Sequence, residues 1–269
     1  MGRIGARFAR LRERGEKALI PFVTAGDPDL DTSEALVRAL EAAGADAVEI
    51  GVPFSDPIAE GPTIQRSSER ALRGGVSLRR VLQLVKGLRP KVEIPLILMG
   101  YANTFLAMGE AAFVEAAAAL GVDGTVIVDL PPEEGEAFFA AQEAAGIDPI
   151  LLASPTTLPK RLAMLAARTR GFLYYVSLTG VTGARAEVAA GLEAGVRRAR
   201  EVCPLPVCVG FGISTPEQAA RIARYADGIV VGSAIVDRIE AARSPEEAVD
   251  AVARFAADLK APLRGQPRR

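Results

Sequence analysis

Apolar residues along this 269-residue chain gather into eight short runs: "ALIPFVT" (18–24), "DAVEIG" (46–51), "IPLILMG" (94–100), "GTVIVDL" (124–130), "IDPILLA" (147–153), "GFLYYVS" (171–177), "LPVCVG" (205–210) and "DGIVVG" (227–232). The runs are continuous rather than alternating, the pattern of parallel strands covered on both faces. Segments rich in Ala, Leu, Arg and Glu lie between them. In "DTSEALVRALEAAG", Leu36, Val37 and Leu40 mark one helical face. Eight strands alternating with helices over about 250 residues predict an α/β fold, a (β/α)8 TIM barrel. An open doubly wound sheet is the alternative, but its first loop is usually glycine-rich, and "TAGDPDL" holds no G-x-G-x-x-G.

The junctions repeat too. "AGAD" (43–46), "LGVD" (120–123) and "AGID" (145–148) each precede a strand, with "YADG" (225–228) a looser copy. Glycine there reads as a helix C-terminal cap. "SPEE" (244–247) reads as a capping box and "STPE" (214–217) as a similar start. Ile4, Phe8 and Leu11 predict an amphipathic N-terminal helix within residues 1–15, lying against the barrel. The longest gap follows the second strand, where "EGPTIQRSSERALRGG" (60–75) reads as an extra helical turn or two before the main helix. The whole chain, 1–269, reads as one domain, with 262–269 a disordered tail.

A net charge of -1 with dispersed basic residues gives no sign of a nucleic-acid surface. No apolar run is long enough for a membrane span, and the start lacks a signal-peptide core, so the cytoplasm is the expected location. Cys203 and Cys208 fall five positions apart on a strand, facing opposite ways, and read as structural thiols. Histidine is absent. A Ser-His or Cys-His nucleophile and a His-based metal site are thereby excluded, and acid–base work falls to Asp, Glu, Tyr, Lys or Cys.

Barrel chemistry sits at the C-terminal ends of strands. Glu49 ends the second run, and strand alternation places it with Ala47 and Gly51 on the inward face. No run carries Lys or Arg to pair with it, so desolvation should raise its pKa toward neutrality, as a general acid requires. Glu60 and Asp56 lie on the following loop, where a carboxylate is ordinarily a cap or a solvated charge. Asp27 and Asp129 read as a turn former and an N-cap. Of adjacent Tyr174 and Tyr175 only one can face inward, and Phe22 is either ligand wall or core. "GVTG" (180–183), "GFG" (210–212) and "GSAIV" (232–236) follow the last three strands. Together with a short helix starting near Ser233 they read as a phosphate site.

In "PFVTAGDP", "EIGVPFSDPIAEGPTIQ", "YAN", "GVTG", "GFGIS" and "GSAIV", in that order along nearly the whole chain, the sequence resembles the α subunit of tryptophan synthase. The resemblance implies a lyase that cleaves indole-3-glycerol phosphate to indole and glyceraldehyde 3-phosphate in tryptophan biosynthesis. It implies no metal or organic cofactor in this subunit, and an α2β2 complex whose β subunit carries pyridoxal phosphate. It places the catalytic acids on Glu49 and Glu60, the latter a departure from the family's aspartate, with Glu60 remaining ionised beside the indole N–H. Substrate contacts map to Phe22, Tyr174, Thr182, Gly183, Phe211, Gly212, Gly232 and Ser233. Contacts with the β subunit map to Pro53, Asp56, Asn103 and Pro131. Two other readings stand beside it: another phosphate-binding barrel, an isomerase or epimerase, and a non-catalytic barrel that activates a partner.

Overall fold

The computed structural model describes residues 2–176, 185–210 and 212–265, with the backbone alone for 185–190. The first half of the chain runs α1 (Arg3–Arg14), β1 (Ala18–Thr24), α2 (Leu30–Ala42), β2 (Val48–Gly51), α3 (Pro62–Arg73), α4 (Leu78–Leu88), β3 (Leu96–Gly100), α5 (Ala102–Leu106), α6 (Glu110–Leu120) and β4 (Gly124–Ile127). The second half runs α7 (Glu136–Ala144), β5 (Asp148–Pro149), β6 (Leu152–Ala153), α8 (Pro159–Arg168), β7 (Leu173–Val176), α9 (Arg185–Val202), β8 (Val207–Gly210), α10 (Pro216–Ile222), β9 (Gly228–Val231), α11 (Ser233–Ala241) and α12 (Pro245–Lys260).

The strands form one sheet in the order β5-β4-β3-β2-β1-β9-β8-β7-β6, every described pair parallel. The two ends of that order are halves of the fifth apolar run, so this segment closes the (β/α)8 barrel. Ile150 N–H donates to Thr125 C=O on the β4 side at 2.8 Å, and Tyr174 N–H donates to Leu151 C=O on the β7 side at 3.0 Å. A single strand was expected over 147–153, and the structure breaks it into two residue pairs. Pro149 contributes no N–H, and the chain turns from one neighbour to the other across Ile150 and Leu151.

Strand alternation divides the core into two layers. Ala18, Ile20, Phe22, Ala47, Ile97, Met99, Val126, Ile150, Tyr174, Cys208 and Val230 fill the barrel. Residues of the opposite parity, such as Leu19, Val48, Ile50, Leu98 and Ile229, pack under the helices. Tyr174 is inside and Tyr175 is under the helices, which resolves the choice between them. Both cysteines are buried and free. Helix α1 buries Ile4, Phe8 and Leu11 into the interior cluster and so seals the N-terminal end of the barrel.

Three of the four expected glycine caps are in place, Gly44, Gly121 and Gly146, all with positive φ, whereas Gly228 of "YADG" begins β9. Ser244 caps α12 by accepting from Glu247 N–H, but Glu247 reaches back to Arg243 N–H rather than to Ser244. At α10 the capping box is formed by Thr215 and Gln218, one residue beyond Ser214. The insertion after β2 is longer than one or two turns, since α3 has 12 residues. Its buried face is Ile64, Ser67, Ser68 and Ala71, and the two serines hid the helical period from a purely apolar count. At the C-terminus Leu263 is fully buried, and its carbonyl accepts from Lys17 N–H at 2.9 Å. Residues 262–265 are therefore not the loose tail expected from 262, and residues 266–269 lie outside the described residues.

Candidate active site

Glu49 occupies the third from last position of β2, in register with Phe22 on β1 and Ile97 on β3. All three side chains point inward. Room for them comes from missing ones: a Cβ on Gly51 would collide with the Phe22 ring, and one on Gly210 with the Tyr174 ring. Glu49 is 1% exposed, and its Oε1 is buried with no hydrogen-bond partner among the described residues. Burial pushes its pKa up to about 8, and the nearby charge of Glu60 pushes the same way. The expected elevation is present and has the expected cause.

Glu60 stands at the end of the loop after β2, directly before Gly61, the N-cap of α3. Tyr101, the first residue after β3, organises this end of the loop. Its hydroxyl donates to Glu60 Oε1 at 3.3 Å and accepts from Ala59 N–H at 2.9 Å. Its ring stacks on Phe54, with centroids 4.9 Å apart. Glu60 was expected to remain ionised without difficulty. Burial instead raises its pKa to about 7, opposed by the hydrogen bond from Tyr101. The two acids are therefore both perturbed, with Glu49 the weaker acid of the pair.

Phe22, Glu60, Tyr101, Phe54, Ile64 and Met99 line one cavity, and its Phe22 wall is in register with Glu49. Tyr174 comes close enough for both glutamates to raise the pKa of its hydroxyl, after burial itself. Gly232 is the N-cap of α11, and Ser233 is its exposed first residue. No side chain caps that helix, which leaves first-turn N–H groups to meet an anion. Phe22 Cβ lies 3.6 Å from where a Cβ on Gly232 would stand, so the acid pocket and this helix end adjoin. Gly212 takes the left-handed φ of 74° that glycine permits. Thr182, Gly183 and Phe211 lie outside the described residues.

The remaining carboxylates have structural partners. Asp27 is 1% exposed and forms a two-pronged ion pair with Arg70, at 2.7 and 2.8 Å. Asp129 accepts from Ala102 N–H and so caps α5, the helix of a neighbouring unit. Pro53 is buried, Asp56 and Asn103 are exposed and Pro131 is partly buried, all on the three loops following β2, β3 and β4. Tyr101 escaped the sequence reading as a site residue. Its position immediately after a strand, the criterion that found Glu49, would have found it.

A second cavity, about 1240 Å³, opens at the other end of the barrel between α1 and α9. Several of its charged groups pair with one another, Arg197 with Glu193, and both Arg200 and Lys17 with Asp227. Among the described residues it holds no unpaired buried acid, so the candidate site is the smaller cavity lined by Phe22 and Glu60.

Comparison with known proteins gives one answer. A family model described as tryptophan synthase alpha chain matches residues 8–264. A tryptophan synthase alpha chain of Geobacter sp. (strain M21) is 56% identical over 240 residues, covering 89% of this chain and 90% of the relative. That of Acidithiobacillus ferrooxidans (strain ATCC 53993 / BNL-5-31) is 49% identical over 271 residues, covering 100% and 99%. The solved alpha subunit of Legionella pneumophila str. Paris superposes with a TM-score of 0.90 at 38% identity, covering 98% of each chain. A chain of Mycobacterium tuberculosis tryptophan synthase in its aminoacrylate-bound form gives 0.88 at 36% identity, covering 98% and 100%. With most of its length matched by the family model and by close relatives, this chain belongs to the tryptophan synthase alpha chain family.

Proposed function

We propose that Glu49 is the proton donor, and then the base, in the cleavage of indole-3-glycerol phosphate to indole and glyceraldehyde 3-phosphate. The chain is a carbon–carbon lyase of tryptophan biosynthesis. One observation carries the assignment of roles: a fully buried carboxyl group without a hydrogen bond on Oε1, its pKa raised to about 8 at a strand end. Such a group is protonated at neutral pH and has a proton to give.

Indole C3 receives that proton. The ring becomes an indolenine whose positive charge develops at nitrogen, and Glu60 accepts the indole N–H hydrogen bond and stabilises the charge. A cation there favours the ionised form of Glu60, which offsets its desolvation. Glu49, now a carboxylate, takes the proton of the C3′ hydroxyl. The C3–C3′ bond breaks, its electron pair returns to the ring, and the C3′ carbon leaves as the aldehyde. Gly212, Gly232 and Ser233, with Thr182 and Gly183, hold the phosphate, while Phe22, Tyr174 and Phe211 enclose the ring and glycerol chain. These transfers need no metal or organic cofactor of this chain.

The partner is a β subunit in an α2β2 assembly, where pyridoxal phosphate belongs. Asp56, Asn103 and Pro131 form the docking surface at the barrel mouth, with Pro53 buried at the start of the loop that carries Asp56. Support comes from Ile58, an isoleucine 86% exposed on the same loop as Asp56, and from the exposed Leu106 on α5.

The test is release of indole from indole-3-glycerol phosphate by the purified chain. Glu49→Gln should lower kcat by about 10²–10⁴-fold, the usual worth of a general acid–base group, with folding and phosphate binding retained. Near-normal turnover in that variant would sink the assignment.

A further inference from the structure

Helix α3 begins two residues after Glu60, and α11 begins at the phosphate end of the site. The two helices are joined along their outer faces by an ion network. Thr63, Arg66 and Arg70 share one face of α3, and Asp237 and Glu240 share one face of α11. Thr63 Oγ1 donates to Asp237 Oδ1 at 2.9 Å. Arg66 grips Glu240 with two hydrogen bonds, at 2.9 and 2.7 Å. Arg70 donates to the same Glu240 Oε1 at 2.8 Å, and its other two nitrogens hold Asp27 in the loop after β1. Beneath these, Thr24 of β1 and Ser67 of α3 share a buried hydrogen bond of 2.7 Å. Glu240 therefore closes a frame linking the units of β9, β1 and β2, which are consecutive in the sheet.

A lone ion pair this exposed is worth little, since side-chain entropy and screening cancel most of the attraction. Planar two-pronged arginine contacts add something else, a defined geometry. The network acts between two rigid rods whose N-terminal ends carry the acid and the phosphate site. Sliding α3 along α11 would move Glu60 relative to a substrate anchored by its phosphate, and displacement of about 1 Å can cost on the order of a hundredfold in rate.

We infer that Glu240 is a positioning residue for the lyase reaction, holding α3 against α11 so that Glu60 stands at a fixed distance from the phosphate site. The inference rests on the roles proposed above for Glu60, Gly232 and Ser233. Asp237 and Arg66 share the task, and Arg70 ties the frame to the barrel through Asp27.

The experiment compares wild type, Glu240→Gln, and Arg73→Gln as a control. Arg73 pairs only within α3, with Glu69, and is exposed. Each protein is assayed for indole release from indole-3-glycerol phosphate, for inorganic phosphate binding and for thermal unfolding. Glu240→Gln is expected to lower kcat about tenfold, with KM and phosphate affinity within about threefold of wild type. High salt should lower kcat of the wild type toward that of Glu240→Gln while leaving the variant unchanged, because screening loosens the frame. Arg73→Gln should match wild type. Unchanged kcat in Glu240→Gln, or an equal loss in Arg73→Gln, would overturn the inference. Failure of the underlying roles shows separately, as full activity of Glu60→Gln in the same assay.

Discussion

At the scale of single residues, Glu49 combines two costs that catalysis uses. Its carboxyl is fully buried, and a second acid stands close by. Both favour the protonated form, so the folded protein binds this proton more tightly than the unfolded chain does, at about 8 against an ordinary 4.5. The stability contributed by the bound proton is complete below about pH 4.5 and is lost as pH rises through 8. Glu49→Gln abolishes that titration. In urea unfolding the variant should equal wild type near pH 5 and exceed it near pH 9 by on the order of 3 kcal/mol. Equal stability at the higher pH would mean that the carboxyl is not desolvated. The carboxylate of Glu60 is held by the Tyr101 hydroxyl rather than left free. The sequence could show that Glu49 must be unusual, because strand alternation buries it. It could not show the state of Glu60, which depends on a hydroxyl 41 positions away.

At the scale of elements, the strand starts share a device that the glycine repeats concealed. Asp46 accepts from Leu19 N–H, Asp123 from Leu96 N–H and Asp227 from Val207 N–H, at 2.8, 2.9 and 3.1 Å. Each aspartate lies just before one strand and pins the start of the preceding neighbour. Each is also paired with cations: Asp46 with Arg7 and Lys260, Asp123 with Arg3 and Arg89, Asp227 with Lys17 and Arg200. Arg3 and Arg7 thereby fasten α1 over the barrel floor, and buried Lys260 fastens the end of α12. Asp46→Ala should destabilise by about 3 kcal/mol, since it takes the nearest carboxylate from the buried Lys260 ammonium, leaving Glu16 and the Lys17 carbonyl, and the acceptor from a strand N–H. Thermal unfolding measures this, and a loss below about 1 kcal/mol would show that Lys260 finds other partners. The runs and caps were readable because strand and helix periods are local. The aspartate pins, the broken fifth strand and the full length of α3 were not, because each depends on a partner elsewhere in the barrel.

At the scale of the whole molecule, the barrel separates its duties by end. The N-terminal end is closed by α1 and by ion-paired aspartates, and it supplies rigidity. The C-terminal end collects the acids, the uncapped start of α11 and exposed apolar side chains, including Leu158 at 72% exposure. A partner seated on the loops after β2, β3 and β4 would press on the segment that carries Glu60. Adding a β subunit should raise turnover of the purified chain well above its rate alone, and Ile58→Glu should blunt that increase while sparing the basal rate. An unchanged rate on adding the partner would remove the docking surface from the account.

The most direct measurement is the pH dependence of kcat/KM for indole release from indole-3-glycerol phosphate. The proposed mechanism requires Glu49 protonated and Glu60 ionised, so the profile should be a narrow bell. Its acid limb should fall near pH 7 as Glu60 gains a proton, and its alkaline limb near pH 8 as Glu49 loses one. A profile flat from about pH 6 to about pH 9 would contradict the account, because no buried carboxyl group would then be giving up its proton in the reaction.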